Sequence, residues 1–182
     1  QIGIYKIHAY PDYNLVRSGN FTKYFSNIAQ MAKAVSKPIV FGEIGFEKMT
    51  EENQKRVKTD PHASEDSQMS VYDFSYGIDM SDAVIQIMNA GYSGAAAWNL
   101  DDAMHTNGDN GDKTQLKRWG FWNILGTEIC NNPADENIRP WFYTWSLLCR
   151  YFPTGTTIVE SDTTGIQGLR LVAGTKGSDM TI

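Results

Sequence analysis

The stretch that decides the fold is "PIVFGEIGF", residues 38–46, a short apolar run holding one glutamate, Glu43. Pro38 opens it, and an apolar run of this length after a proline reads as a strand buried on both faces of a sheet. A carboxylate inside such a strand is costly unless it is paired or hydrogen-bonded. Glu43 is therefore the residue whose presence needs a reason.

The flanking sequence repeats one alternation. "IGIYKIHAY" (2–10) reads as a strand, and "FTKYFSNIAQMAKAVSK" (21–37) as a helix. In the helix Phe21, Tyr24, Phe25, Ile28, Met31, Ala32 and Val35 recur at helical spacing, and the helix stops before Pro38. After the glutamate strand comes a polar stretch, Glu47 to about Ser70, without a period, read as an elaborated loop. A second helix carries Tyr76, Met80, Ala83, Val84 and Ile87 on one face, with Gly91 placed to cap it. "SGAAAWNL" (93–100) reads as a third strand, and Asp101 to about Ile138 as a second long loop. Pro140 opens a last helix with Trp141, Trp145, Leu148, Cys149 and Phe152 on one face. The tail is rich in Thr, Val and Ile with Gly turns and reads as strands.

The order β-α-β-α-β-α predicts parallel strands joined by helical crossovers, an α/β architecture. Long loops follow the strands and short ones lead back from the helices, the asymmetry of a (β/α)₈ barrel. A doubly wound sheet predicts the same alternation, but no Gly-rich phosphate loop follows any strand.

Composition narrows the partners. The 182 residues suffice for one domain with a core, and the net charge of −5 argues against nucleic acid or an anionic membrane surface. No apolar run is long enough for a membrane span, and the first residues lack the pattern of a signal peptide. Cys130 and Cys149 form no CxxC motif and read as two unrelated half-buried thiols rather than a bridge. "NGDNGDK" (107–113) resembles part of a calcium loop but lacks its closing glutamate, so no metal is expected.

Three predicted strands end in polar groups: His8 and Tyr10, then Glu43, then Trp98 and Asn99 with Asp101 and Asp102 beyond. Parallel neighbours would bring these groups to one rim. A carboxylate there can attack an anomeric carbon, a tyrosine hydroxyl can orient it, and a tryptophan face can stack on a sugar ring.

"HAY", "GEIG" and "AAAWNL", in this order, resemble the ends of strands six, seven and eight of retaining glycoside hydrolases of the large (β/α)₈ clan A. The resemblance implies that the chain is the C-terminal portion of a TIM barrel (strands six to eight and their helices, residues 1–153), leading into an all-β sandwich from residue 154. It makes Glu43 the nucleophile, places His8, Tyr10, Trp98 and Asn99 on the substrate, and requires no cofactor. It also implies a secreted, periplasmic or cell-surface protein acting on a β-linked oligo- or polysaccharide. The clan's acid/base glutamate ends strand four, which has no counterpart in this chain, so the acid is expected in an N-terminal part. Retaining hydrolysis needs two carboxyl groups about 5–5.5 Å apart. Such a piece would expose strand edges and apolar helix faces, so a barrel half or self-association is expected to complete it. The alternative is a non-catalytic carbohydrate-binding barrel that keeps the tryptophan platform and lacks the chemistry. Trp119 and Trp122 read as anchors of the second loop and stay outside the predicted site.

Overall fold

The computed structural model describes residues 2–102, 114–162, 165–166 and 168–182. Residues 107–113, where the calcium-loop resemblance falls, are outside the described set.

Three strands, β1 (Tyr5–Ala9), β2 (Ile39–Ile44) and β3 (Ala95–Ala97), form a parallel sheet in the order β1-β2-β3. The first crossover carries α1 (Tyr13–Arg17) and α2 (Asn20–Ala34), the second α3 (Glu51–Thr59) and α4 (Phe74–Asn89). Then come α5 (Gly126–Cys130), α6 (Pro140–Tyr151) and an antiparallel sheet of β4 (Thr157–Val159), β5 (Ala173–Lys176) and β6 (Asp179–Thr181). A two-residue turn, Gly177–Ser178, closes the β5–β6 hairpin with Gly177 at φ +61°.

One face of the parallel sheet is the core face. Tyr5, Ile7 and Ala9 of β1, Ile39, Phe41 and Ile44 of β2, and Ala95 and Ala97 of β3 pack against Phe21 and Phe25 of α2, Met80 and Ala83 of α4, and Trp141 of α6. Each large side chain fully buried there contributes about 1.5–3 kcal/mol. Lys6 and His8 point to the other, open face.

The barrel expected from the alternation is not what this chain forms. The described residues fold into a small mixed α/β domain with two three-stranded sheets, and the parallel one stays open at β1 and β3. Closure takes about eight strands with a matched tilt and stagger. An open sheet and a barrel share the same local β-α-β signals, so the alternation could not separate them. Strands six to eight of a TIM barrel with their helices are therefore not the right description. The tail is β-structured as predicted, but it forms one antiparallel sheet, and among the described residues no second antiparallel sheet faces it as a sandwich requires.

The first long loop holds more structure than its polarity suggested. α3 starts at Thr50, whose hydroxyl accepts from Asn53 N at 3.2 Å, with Glu51 and Glu52 in its first turn and Arg56 and Lys58 in its last. Val57 and Asn53 are its buried residues, too few to raise a helical period. The helix 20–34 buries Phe21, Phe25, Ala29 and Ala32, while Tyr24, Met31 and Val35 of the predicted face are exposed. α4 buries the whole predicted face, and Gly91 (φ +95°) turns the chain just after it. In α6 only Trp141 is buried. Both cysteines are free thiols, Cys130 half-buried and Cys149 exposed. Among the described residues no helix is long and apolar enough to cross a membrane.

Candidate functional site

β2 carries one residue more than its neighbours. Ile7 pairs with Phe41 but His8 pairs with Glu43, so Gly42 is the extra residue against β1. The register against β3 shifts in the same place, between Phe41 and Ile44. Strict alternation would put Glu43 on the core face with Phe41; the bulge reverses the parity. Glu43 comes out beside His8 on the open face, and Ile44 returns to the core. The methylenes of Lys6 lie where a side chain on Gly42 would project.

The Glu43 carboxylate, 27% exposed, is therefore partnered rather than buried. Tyr10 donates its hydroxyl to Oε2 at 2.8 Å, and His8 Nδ1 lies 3.2 Å from the same oxygen. Among the described residues no hydrogen bond falls on Oε1. Burial, and then the hydrogen bond and charge of Glu43, push the Tyr10 phenol far above the usual tyrosine range, so it stays a donor.

Tyr10 also joins Glu43 to a cleft of about 440 Å³, walled by Tyr10, Phe46, Lys48, Asp66, Trp98 and Trp119. The Tyr10 and Trp119 rings meet edge to face, with centroids 5.4 Å apart. Gly45 lets them approach: a Cβ there would stand 3.0 Å from Trp119 and 3.2 Å from Tyr10. Trp98 follows β3 and is held by its backbone N–H, which donates to Ile44 O at 2.9 Å. The peptide between Trp98 and Asn99 is cis. Of the residues predicted to touch substrate, Tyr10 and Trp98 line the cleft, His8 stands on Glu43, and Asn99 is buried away from the cleft wall.

Trp119 is one of the cleft residues that sequence reading left out, together with Phe46, Lys48, Asp66 and Lys117. Its indole N–H donates to the Asp66 carbonyl and its backbone N–H to Asp102 Oδ1 at 2.8 Å. No local pattern in "KRWGFWNILG" separates it from Trp122, whose indole N–H instead donates to Asp101 at 2.5 Å. Asp101 and Asp102, predicted on the rim, work as staples of the loop. Asp102 is fully buried, accepts from Trp119 N and Gly120 N, and meets the Arg139 guanidinium with both oxygens. Arg118 and Arg139 share Asp135 and the Tyr72 hydroxyl, and Asn123 donates to Asp135 at 2.7 Å. The charges are buried together and compensate one another.

The opposite wall is fixed by Asn53, which donates to Lys48 O and Ser67 O and accepts from Met69 N. These bonds seat the segments bearing Lys48 and Asp66. The two form an ion pair, and Lys117 Nζ lies 3.7 Å from the other Asp66 oxygen. Among the described residues no group of His, Cys, Asp and Glu could hold a metal ion. A second, largely apolar cavity of about 320 Å³ lies away from Glu43, between α4, α6 and β4. No protein-family model, curated protein or solved structure matches the chain.

Proposed function

We propose that this chain carries the nucleophile of a retaining β-glycoside hydrolase, and that Glu43 is that nucleophile. The observation that carries the reading is the asymmetry of one carboxylate. Tyr10 and His8 both sit on Oε2, which leaves Oε1 to attack, and Tyr10 continues into a cleft walled by Trp98 and Trp119. The order of the motifs "HAY", "GEIG" and "AAAWNL", through its resemblance to clan A, supports it too.

In this reading Oε1 forms a bond to the anomeric carbon while the bond to the leaving oxygen breaks. That oxygen takes the electron pair and is protonated by an acid. Water then cleaves the glycosyl ester, returning the carboxylate and a sugar of retained configuration. Tyr10 holds the carboxylate in line, and the tryptophan faces carry the sugar ring. Asp66 in the cleft is the counter-ion of Lys48 and Lys117, and Glu47, the cleft's other carboxylate, is not at a position where the clan carries its acid, so the proton donor is assigned outside the described residues.

The test uses 2-deoxy-2-fluoro β-glycosides with a dinitrophenolate leaving group, which departs without an acid. A panel of sugars is incubated with the chain and its peptides are mapped by mass. Label on Glu43, absent in Glu43→Gln, is the expected result. Label on another residue, or none from any sugar, would overturn the assignment.

A further inference from the structure

We propose that Lys6 is a positioning residue: its aliphatic stem, laid over Gly42, holds the bulge that turns Glu43 out of the core. The link to chemistry rests on the Glu43 reading above; the geometry rests on the packing at one glycine. Gly42 is the extra residue of β2 against β1, so the direction of the Glu43 side chain depends on the backbone angles of the glycine before it. Glycine has the widest choice of those angles, and a bulged residue lacks the ladder partner that would fix them. A slip of one residue would return Glu43 to the core face.

On the core side the strand is anchored on both flanks of the bulge, by Phe41 and Ile44, both buried. On the open face the holding group is Lys6. Its Cγ, Cδ and Cε all lie within 2.8 Å of the place that a Cβ on Gly42 would take, and they are the three heavy atoms nearest to it. The stem fills the volume that a side chain at position 42 would need. Lys6 pairs with Val40 in the ladder, so its side chain runs two residues along β2 to reach the bulge, about 6–7 Å, which a lysine stem spans. The residue itself is exposed, as expected of a lysine that lays its methylenes on a surface and keeps its head in water. The contact with Gly42 is made by carbon, so the stem and not the charge is the working part.

The experiment measures the limiting rate of Glu43 labelling, at saturating fluorinated glycoside, in Lys6→Met, Lys6→Ala, Gly42→Ala and the double variant of the two alanines. Lys6→Met keeps a stem without the charge and should label within about threefold of the parent chain. Lys6→Ala uncovers the glycine and should slow labelling about 10- to 100-fold, the effect of a nucleophile slightly out of place, with the half-saturating concentration unchanged. Gly42→Ala drives a methyl group into the stem and should slow it likewise. In the double variant that methyl takes the volume the stem gives up, and the rate should recover about tenfold over Lys6→Ala. A merely structural role would lower the melting temperature without this loss and recovery of rate. Lys6→Ala labelling as fast as the parent, or Lys6→Met as slow as Lys6→Ala, would overturn the role of the stem and leave the Glu43 reading standing. If the parent itself takes no label, the Glu43 reading fails and the positioning role falls with it. Should Gly42→Ala not fold, the comparison of the two Lys6 variants decides alone.

Discussion

His8 and Glu43 face each other across β1 and β2 because β2 contains one residue more than β1 between Phe41 and Glu43, and their side chains meet at 3.2 Å. One inserted residue converts a carboxylate that alternation would bury into one that stands on the open face beside His8 and Tyr10. The site begins with this shift, and the first prediction concerns its product.

Glu43→Gln should keep the fold and the affinity for sugar while abolishing covalent labelling. The side chain is partly exposed and its amide can still accept from Tyr10, so the melting temperature should stay close to that of the parent chain. Labelling should fall by more than ~1000-fold, since the attacking oxygen is gone. A glutamine variant that still labels would assign the chemistry elsewhere. One that also loses sugar affinity would make Glu43 a binding group.

Tyr10→Phe isolates the hydroxyl on Oε2. A hydrogen bond to a charged acceptor of this kind is expected to change the labelling rate of Glu43 by about 10- to 100-fold. The phenol is held well above the usual tyrosine range, so the rate should show no dependence on its ionisation up to the alkaline limit of the fold. A rate measurement from pH 6 to 10 on both proteins checks each point.

Asp102→Asn should destabilise the chain strongly. It leaves Arg139 buried with half of its compensation gone, a change that costs about 3–5 kcal/mol when one partner of a buried pair is removed. Urea unfolding gives the magnitude. Tryptophan fluorescence should change in the same variant, because Asp102 holds the backbone of Trp119. A loss below about 1 kcal/mol would show that the network is solvated.

Asp135 makes a pH prediction. Burial alone would push its carboxyl up, but hydrogen bonds from Asn123 and Tyr72 and the charges of Arg118 and Arg139 outweigh that and hold it below the ordinary 3.8. The folded state therefore binds less proton than the unfolded state in the acid range, and the stability from Asp135 is present above about pH 5. It is lost as pH falls through 3.8 toward the folded value. Urea midpoints between pH 5 and 2.5 should fall more steeply for the parent than for Asp135→Asn; equal slopes would contradict the depressed value.

Gly120→Ala tests how closely the loop is packed. A Cβ at Gly120 would stand 2.7 Å from the backbone of Asp101 and Asp102, atoms with no rotamer to yield. Overpacking of this kind costs about 1–3 kcal/mol, and it should disturb Trp119, the preceding residue, more than Trp98. Thermal melting and the binding of any cleft ligand read the two effects separately.

The sequence alone determined what repeats at short range. Tyr76, Met80, Ala83, Val84 and Ile87 announce α4 because each helical turn must bury its own stripe, and Gly91 ends it. Glu43 near the end of a strand was legible for the same reason: its neighbours are apolar and it is not. Tertiary structure decided the rest, because the deciding partners are far apart in the chain. α3 and the Asp102–Arg139 and Asp135–Arg118 pairs are polar segments, and polar residues carry no period that names their counter-charge. Trp119 joined the cleft through bonds to Asp66 and Asp102 that nothing local predicts. Whether the parallel strands close into a barrel or stop at three depends on hydrogen bonds at β1 and β3, and the pattern along one strand is the same in either case.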